Sequence, residues 1–468
     1  KCGMLAEAQE VFDKLLVRDV VSWTTLITGY TKQNFGKEAL KCFEQMQLEG
    51  NSPDIITMAC SLNACISVGA GHKGEEYFTE IAKTGLLEKD VFIGCALVNM
   101  YVKCGLLSNA QDVFDNLPVR DTVLWNALIS GYSACNQENE ASNCFEHMQI
   151  EGVSPDITTY ACILKLLGNA GAIQKGQKIH LHIGEKKLLQ ENNIFLANTL
   201  VDMYAKCGYL AKAQELFNKL PTRNIISWNA LITGYVAHEY NEDVLKCLER
   251  MEVEGICPDN VTYLCSLKAC GLIGAKDKGT EIYGEISMRG LLEKDILVGN
   301  ALLDMYAKCG SLLKAQELFD KLPCRDIFSW NSLISGYAQT GESKQVFVIF
   351  DRMREGGNQP DAITFVLILN VCSHLGLIAK GTRYFEAMSK DFGIDPTLQH
   401  HTCMIDLLAH VGHLDEAQSV LKKLPFYPDS AVWHSILSAC WKSGNMELGK
   451  ITFEHKFKER QNTMIFLP

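Results

Sequence analysis

Apolar residues recur along the chain in short bursts with a three- and four-residue spacing, each burst closed by glycine, proline or an acidic or amide residue. In 194–224, IFLANTLVDMYAK reads as one helix and LAKAQELFNKL as a second, with Leu210, Ala213, Phe217 and Leu220 on one face. Gly208 falls between them, where a helix end wants a left-handed residue. Pro221 prevents continuation of the second helix. In segments of 35 residues the second helix ends at Met46, Met148, Met251 or Met353, before a linker closing in Pro-Asp. The pattern predicts helical hairpins throughout.

The hairpins are copies of one another. The stretch from Met203 to Tyr235 recurs at 100–132 and 305–337, and a beheaded copy opens the chain at Lys1. Trp23, Trp125, Trp228, Trp330 and Trp433 stand 102, 103, 102 and 103 residues apart. Cut before each first helix, the chain divides into a partial repeat 1–19, then 20–54, 55–90 and 91–121. The triplet returns as 122–156, 157–193 and 194–224, as 225–259, 260–295 and 296–326, and as 327–361, 362–397 and 398–429; a tail runs from 430 to 468. Such units bury surface only against their neighbours, so the expected fold is one all-α solenoid of about twelve helix-turn-helix repeats. Periodicity sets the αα-hairpin and leaves the hand of the superhelix open.

Composition changes this picture little. The chain of 468 residues is 47% hydrophobic and 21% charged, and the longest apolar run, Thr364 to Cys372, is half of what a membrane span needs. A net charge of −11 argues against indiscriminate nucleic-acid binding while leaving room for a local basic groove. The 19 cysteines contain no C-x-x-C, which speaks against a zinc or redox site; they suit a reducing compartment, packed as small hydrophobes. The chain opens at Lys1 within a repeat, so the reading expects a fragment whose targeting peptide lies outside it.

Each first helix carries V/I-x-S/T-W/Y-N-x-L-I, as in Ile225 to Ile232, and the 35-residue units end in G-x-x-P-D, as at Gly255 to Asp259. This resembles the pentatricopeptide repeat family, and the alternation of 35, 36 and 31 residues is similar to its plant P-L-S subclass, with 20–54, 122–156, 225–259 and 327–361 as P repeats. The resemblance covers nearly the whole chain and implies a right-handed α-α superhelical solenoid that binds single-stranded RNA, one nucleotide per repeat. It implies no cofactor and no metal.

In that family the fifth and last residues of a repeat read the base. Carried over, the polar pairs are Thr24/Asp54, Asn126/Asp156, Asn198/Asn224, Asn229/Asp259, Asn300/Asp326, Asn331/Asp361 and Thr402/Asp429. The remaining pairs are Ala59/Asp90, Cys95/Asp121, Ala161/Asn193, Leu264/Asp295 and Val366/Thr397, where the fifth residue reads little or leaves its nucleotide undefined. The family's code (Asn with Asp for U, Asn with Asn for C over U, Thr with Asp for G) then predicts G-n-n-U-n-Y-U-n-U-U-n-G. The second residues, Val21, Val123, Ile226 and Phe328 among them, are expected to sandwich bases. Lys32, Lys103, Lys206 and Lys308, at the thirteenth position, are expected along the phosphate path.

Each of these residues also has a bland role. Asp before a helix is a good N-cap, apolar second residues can pack between units, and Lys near a helix C-terminus suits the helix dipole. The tryptophans read as core wedges. What favours RNA is register: Asn or Thr recurs at one position in all four 35-residue units, opposite a closing Asp.

No catalytic constellation is present in the sequence. The H-x-E and P-C-x-x-C of a zinc deaminase are missing, and His400 and His401, being adjacent, point different ways from a helix. The segment 430–449 resembles the start of a P-L-S extension motif, and the residues after it match nothing in the family. The resulting expectation is a site-recognition factor for C-to-U editing in a mitochondrion or chloroplast. The chain is then truncated at its end or recruits a deaminase or editing accessory protein in trans. The target C is expected four nucleotides 3′ of the base read by 398–429. An RNA stabilisation or processing factor and a protein-binding scaffold are the alternatives.

Overall fold

A computed structural model describes residues 4–84, 91–186, 188–189 and 193–422, with positions 433, 437–438, 440–441 and 450. Every regular element among the described residues is an α-helix. The chain forms two compact units, Lys1–His238 and Glu239–Pro468.

In the first unit the first helices of successive repeats are Val20–Lys32, Ile55–Val68, Val91–Lys103, Thr122–Ala134, Ile157–Ala170, Ile194–Lys206 and Ile225–Ala237. Each packs on the next, so they form a continuous layer. The second helices, such as Gly36–Leu48 and Glu138–Ile150, form a second layer, each wedged between its own first helix and the following one. The second unit repeats the plan with Asn260–Ile273, Ile296–Lys308, Ile327–Gln339, Ala362–Leu375 and Leu398–Val411 as its first layer. Its core runs unbroken from Leu248 through Tyr306, Phe319 and Phe365 to Leu407. Each unit is therefore a stretch of helical-repeat solenoid.

Two local rules shape the hairpin. The fifteenth residue of all twelve repeats has positive φ, between 54° and 89°. Nine of the twelve are glycine; the others are Asn34, Asn136 and Glu239. That conformation ends the first helix and turns the chain into the second. The other rule is close approach. A Cβ on Gly234 would lie 2.3 Å from that of Ala205, and one on Gly336 would lie 2.7 Å from that of Ala307. Glycine in the first helix of a 35-residue repeat thus lets it settle on the helix before it.

The periodic tryptophans are buried. Trp23, Trp125, Trp228 and Trp330 lie edge-on to Phe12, Phe114, Phe217 and Phe319 at 4.5 to 4.6 Å between ring centres. An arginine covers the other side of each phenylalanine at 5.0 to 5.2 Å: Arg18, Arg120, Arg223 and Arg325. Arg325 also donates to the carbonyls of Phe319 (2.9 Å) and Asp320 (2.8 Å), closing the exposed end of the preceding helix. Arg120 does the same for Phe114 and Asp115 and bonds Glu151 of the next linker. This arginine clamp is not among the motifs picked out above, although Arg18, Arg120, Arg223 and Arg325 each stand just before the closing Asp or Asn of a short repeat; 398–429, which closes in Pro428-Asp429, lacks that arginine.

Candidate nucleic-acid interface

Among the described residues, the closing residue of each repeat is the N-cap of the next first helix. Asp54, Asp121, Asp156, Asn193, Asn224, Asp259, Asp326 and Asp361 all accept the backbone N–H three residues on. At five of these helices the third residue, Thr or Ser, returns a bond to the cap's own N–H in a full capping box. The bland role of these residues is therefore real, and it places their side chains.

The cap also reaches the fifth residue of the repeat it closes. Asn126 donates through Nδ2 to Asp156 at 3.0 Å, and Asn331 to Asp361 at 3.1 Å. Asn300 donates to both oxygens of Asp326, at 3.0 and 3.1 Å. On its other side each amide oxygen receives a hydroxyl: Thr159 on Asn126 at 2.6 Å, Ser329 on Asn300 at 2.7 Å and Thr364 on Asn331 at 2.7 Å. Thr24 meets Asp54 through Thr57, whose hydroxyl lies 2.5 Å from that of Thr24 and 2.6 Å from the carboxylate. Burial pushes the Asp156 carboxyl up, but the bonds from the Thr159 N–H and the Asn126 amide help to outweigh it, and its pKa lies below the usual value.

Two pairs differ. Asn198 makes one bond, at 3.4 Å, to Asn224, and its own oxygen is buried without a partner among the described residues. Asn229 lies in the first unit and Asp259 in the second. Thr402 bonds the carbonyl of Leu398; Asp429, like Asp90, lies outside the described residues, as does most of the tail from 430.

The second residues stand in the open. Val21 is 69% exposed, Val123 61%, Ile226 61% and Phe328 59%, and Ile56, Phe92, Phe195, Val261, Leu297 and Ile363 are exposed as well. Packing between units does not account for them. In the first unit, second and fifth residues of three consecutive repeats line one trough of ≈ 510 Å³, floored by Ala161, Asn198 and Asn229 and edged by Phe195 and Ile226.

The lysines divide. Lys206 and Lys308 each pair with an aspartate one turn earlier, Asp202 at 2.8 Å and Asp304 at 2.6 Å. Lys32 and Lys103 are exposed and have Thr28 and Asn99 in that place, so among the described residues these two lack the aspartate that answers the other pair.

His400 does something the sequence reading left out. At the third position of its repeat, its Nδ1 accepts from the Thr397 N–H at 3.1 Å and its Nε2 meets the Ala362 carbonyl at 2.8 Å. It is a buried capping group that replaces the usual hydroxyl. No group of His, Cys, Asp and Glu among the described residues could hold a metal ion, and burial pushes the thiols of Cys144, Cys247 and Cys403 up to about 12. No described helix is long and apolar enough to cross a membrane.

Family models described as "PPR repeat family" match residues 18–67, 120–169, 223–271 and 325–374, and the model "PPR repeat" matches 195–225, 300–327 and 400–425. The chain belongs to the pentatricopeptide repeat family. A pentatricopeptide repeat-containing protein of Arabidopsis thaliana is 34% identical over 97% of the chain and 54% of its own length. A putative mitochondrial member from the same plant is 33% identical over 92% and 69%. A chloroplastic one is 32% identical over 99% and 53%, so the chain spans about half to two-thirds of such relatives. Among solved structures, the pentatricopeptide repeat protein PPR10 from maize shares the fold, with a TM-score of 0.66 at 18% identity over 98% of this chain and 71% of that one. The same maize protein, in complex with an 18-nt psaJ RNA element, matches with a TM-score of 0.53 at 19% identity over 97% and 67%.

Proposed function

We propose that this pentatricopeptide repeat protein binds single-stranded RNA in a plant organelle, mitochondrion or chloroplast, and marks a site for C-to-U editing. The observation that carries the RNA reading is the trough in which exposed Phe195 and Ile226 flank the fifth residues Ala161, Asn198 and Asn229. Exposed apolar side chains one repeat apart offer bases a stacking surface that tolerates any sequence. Between them the Asn198 amide offers a hydrogen-bonding edge to one base, and Asn126, Asn300 and Asn331, tied to carboxylates, offer a fixed one in their own repeats. Family membership, organellar relatives and the RNA bound by the maize protein support the same reading.

The editing role rests on the resemblance of the 35-, 36- and 31-residue alternation to the P-L-S subclass. In this reading the chain supplies the address, and a deaminase acting in trans, or a part of the full-length protein beyond this chain, supplies the chemistry. The test is a titration against G-n-n-U-n-Y-U-n-U-U-n-G beside a scramble of equal composition at fixed salt, since affinities compared at different salt mean little. A preference of tenfold or more for the ordered RNA supports base readout; equal binding removes it. Loss of one C-to-U conversion at the predicted offset on knockdown separates editing from RNA stabilisation.

A further inference from the structure

The hydroxyls found on the fifth-position amides follow a rule along the chain. Six of the seven polar fifth residues have Ser or Thr three residues into the next repeat: Thr24 with Thr57, Asn126 with Thr159, Asn198 with Ser227, Asn229 with Thr262, Asn300 with Ser329 and Asn331 with Thr364. The seventh, Thr402, has Val432, outside the described residues. The five apolar or thiol fifth residues have none: the same place holds Ile93, Leu124, Leu196, Val298 and His400. Repeat type does not explain this. Repeats 91–121, 194–224 and 296–326 are of one length, and the hydroxyl vanishes only where Cys95 replaces Asn, at Leu124.

The geometry supplies a reason. The Thr159 hydroxyl lies 2.6 Å from the Asn126 oxygen and 2.9 Å from the Asp156 carboxylate, and it has one proton. Either choice leaves one oxygen pair without a proton between them, at 2.6 Å if the carboxylate takes it and at 2.9 Å if Asn126 does, so the closer contact, to Asn126, is the bonded one. The carboxylate, an acceptor only, then takes an Nδ2 hydrogen. The amide is held from both sides and cannot turn over. One N–H and one oxygen lone pair are left, always in the same places. Ser329 and Thr364 hold Asn300 and Asn331 in the same way.

Resting on the RNA reading above, we propose that the third-position hydroxyl of the following repeat is a positioning residue for base specificity: it fixes which end of the fifth-position amide faces the base. The experiment measures affinity for RNAs carrying U or C at nucleotide 4, which faces 122–156, with the wild-type chain, Thr159→Val and Thr159→Ser. Ser329→Ala, read at nucleotide 9, is an independent second site. Thr159→Val is expected to lower the U:C ratio roughly three- to tenfold, the worth of one hydrogen bond, while Thr159→Ser keeps it. A Val variant that binds both RNAs more weakly by the same factor has lost only its capping box, and the inference falls while the RNA reading stands. A wild-type chain that does not distinguish U from C at nucleotide 4 overturns the base-reading function, and this inference with it.

Discussion

Repeats 194–224 and 296–326 are nearly the same object. Both have Asn at the fifth position, Ser at the third position of the next repeat and a Phe–Trp–Arg stack at the junction. They differ at the closing residue, Asn224 against Asp326. With Asp, the Asn300 amide makes two bonds to the carboxylate and receives Ser329 on its oxygen. With Asn, one bond of 3.4 Å remains, Ser227 turns to the Asn224 oxygen instead, and the Asn198 oxygen is left alone and buried. An anion at the closing position thus orders three side chains across two repeats. A neutral amide there orders its own helix and holds Asn198 by one long bond.

The largest expected effect comes from breaking the ordered member. Asp326→Ala removes the N-cap of Ile327–Gln339 and both bonds to Asn300, a loss of about 3 kcal/mol. Native-state hydrogen exchange of that helix checks it, because in a repeat array the damage is local and a single unfolding midpoint would blur it. Converting the disordered member is the next test. Asn224→Asp should let Ser227 turn to Asn198, raise the preference for U over C at nucleotide 6 by about tenfold and stabilise Ile225–Ala237 by about 1 kcal/mol. A titration with the two RNAs and the same exchange measurement follow both.

A smaller contrast separates the lysines. Removing the charge of Lys103 should flatten the dependence of log affinity on log salt by about 0.7. Lys206→Ala should flatten it less, because Asp202 already answers that charge. The last test concerns His400, which fills the third position with an imidazole. Burial lowers its pKa from the ordinary 6.5, and the folded form is neutral, with Nδ1 accepting from Thr397. Its contribution is complete above about pH 6.5 and is lost as the pH falls below that value, since the unfolded chain then takes up the proton first. Protection factors in Leu398–Val411, corrected for the intrinsic exchange rate, should therefore fall between pH 7 and 5 in the wild type and fall less in His400→Thr, where the neighbouring His401, its pKa also lowered by burial, remains.

The fold was written in the sequence in large letters: a period of about 102 residues with helical spacing inside it leaves little but a helical solenoid. The pairing of Asn126, Asn300 and Asn331 with their closing Asp was legible for the same reason, because register in a repeat is also geometry. The exposure of Val21, Ile226 and Phe328 was not. An apolar residue in a first helical turn looks the same whether the next helix covers it or passes beside it, and only the rotation between neighbouring helices decides. The arginine clamp and the third-position hydroxyls were missed for another reason. The hydroxyl bonds join residues of different repeats. The arginine contacts with carbonyls and ring lie within one repeat, and they run from a linker back to a helix end that helical spacing does not announce.

The row of exposed second residues also sets a colloidal condition on the molecule. Ten aliphatic and aromatic side chains face water, one to a repeat. Apolar residues exposed singly are ordinary on a protein surface, whereas contiguous patches of several hundred Å² drive association, and the chain as a whole carries a net charge of −11. A second apolar residue beside any of them would join two islands into one. The one-to-a-repeat rhythm that would suit a strand of bases also keeps these side chains from adjoining one another along the sequence.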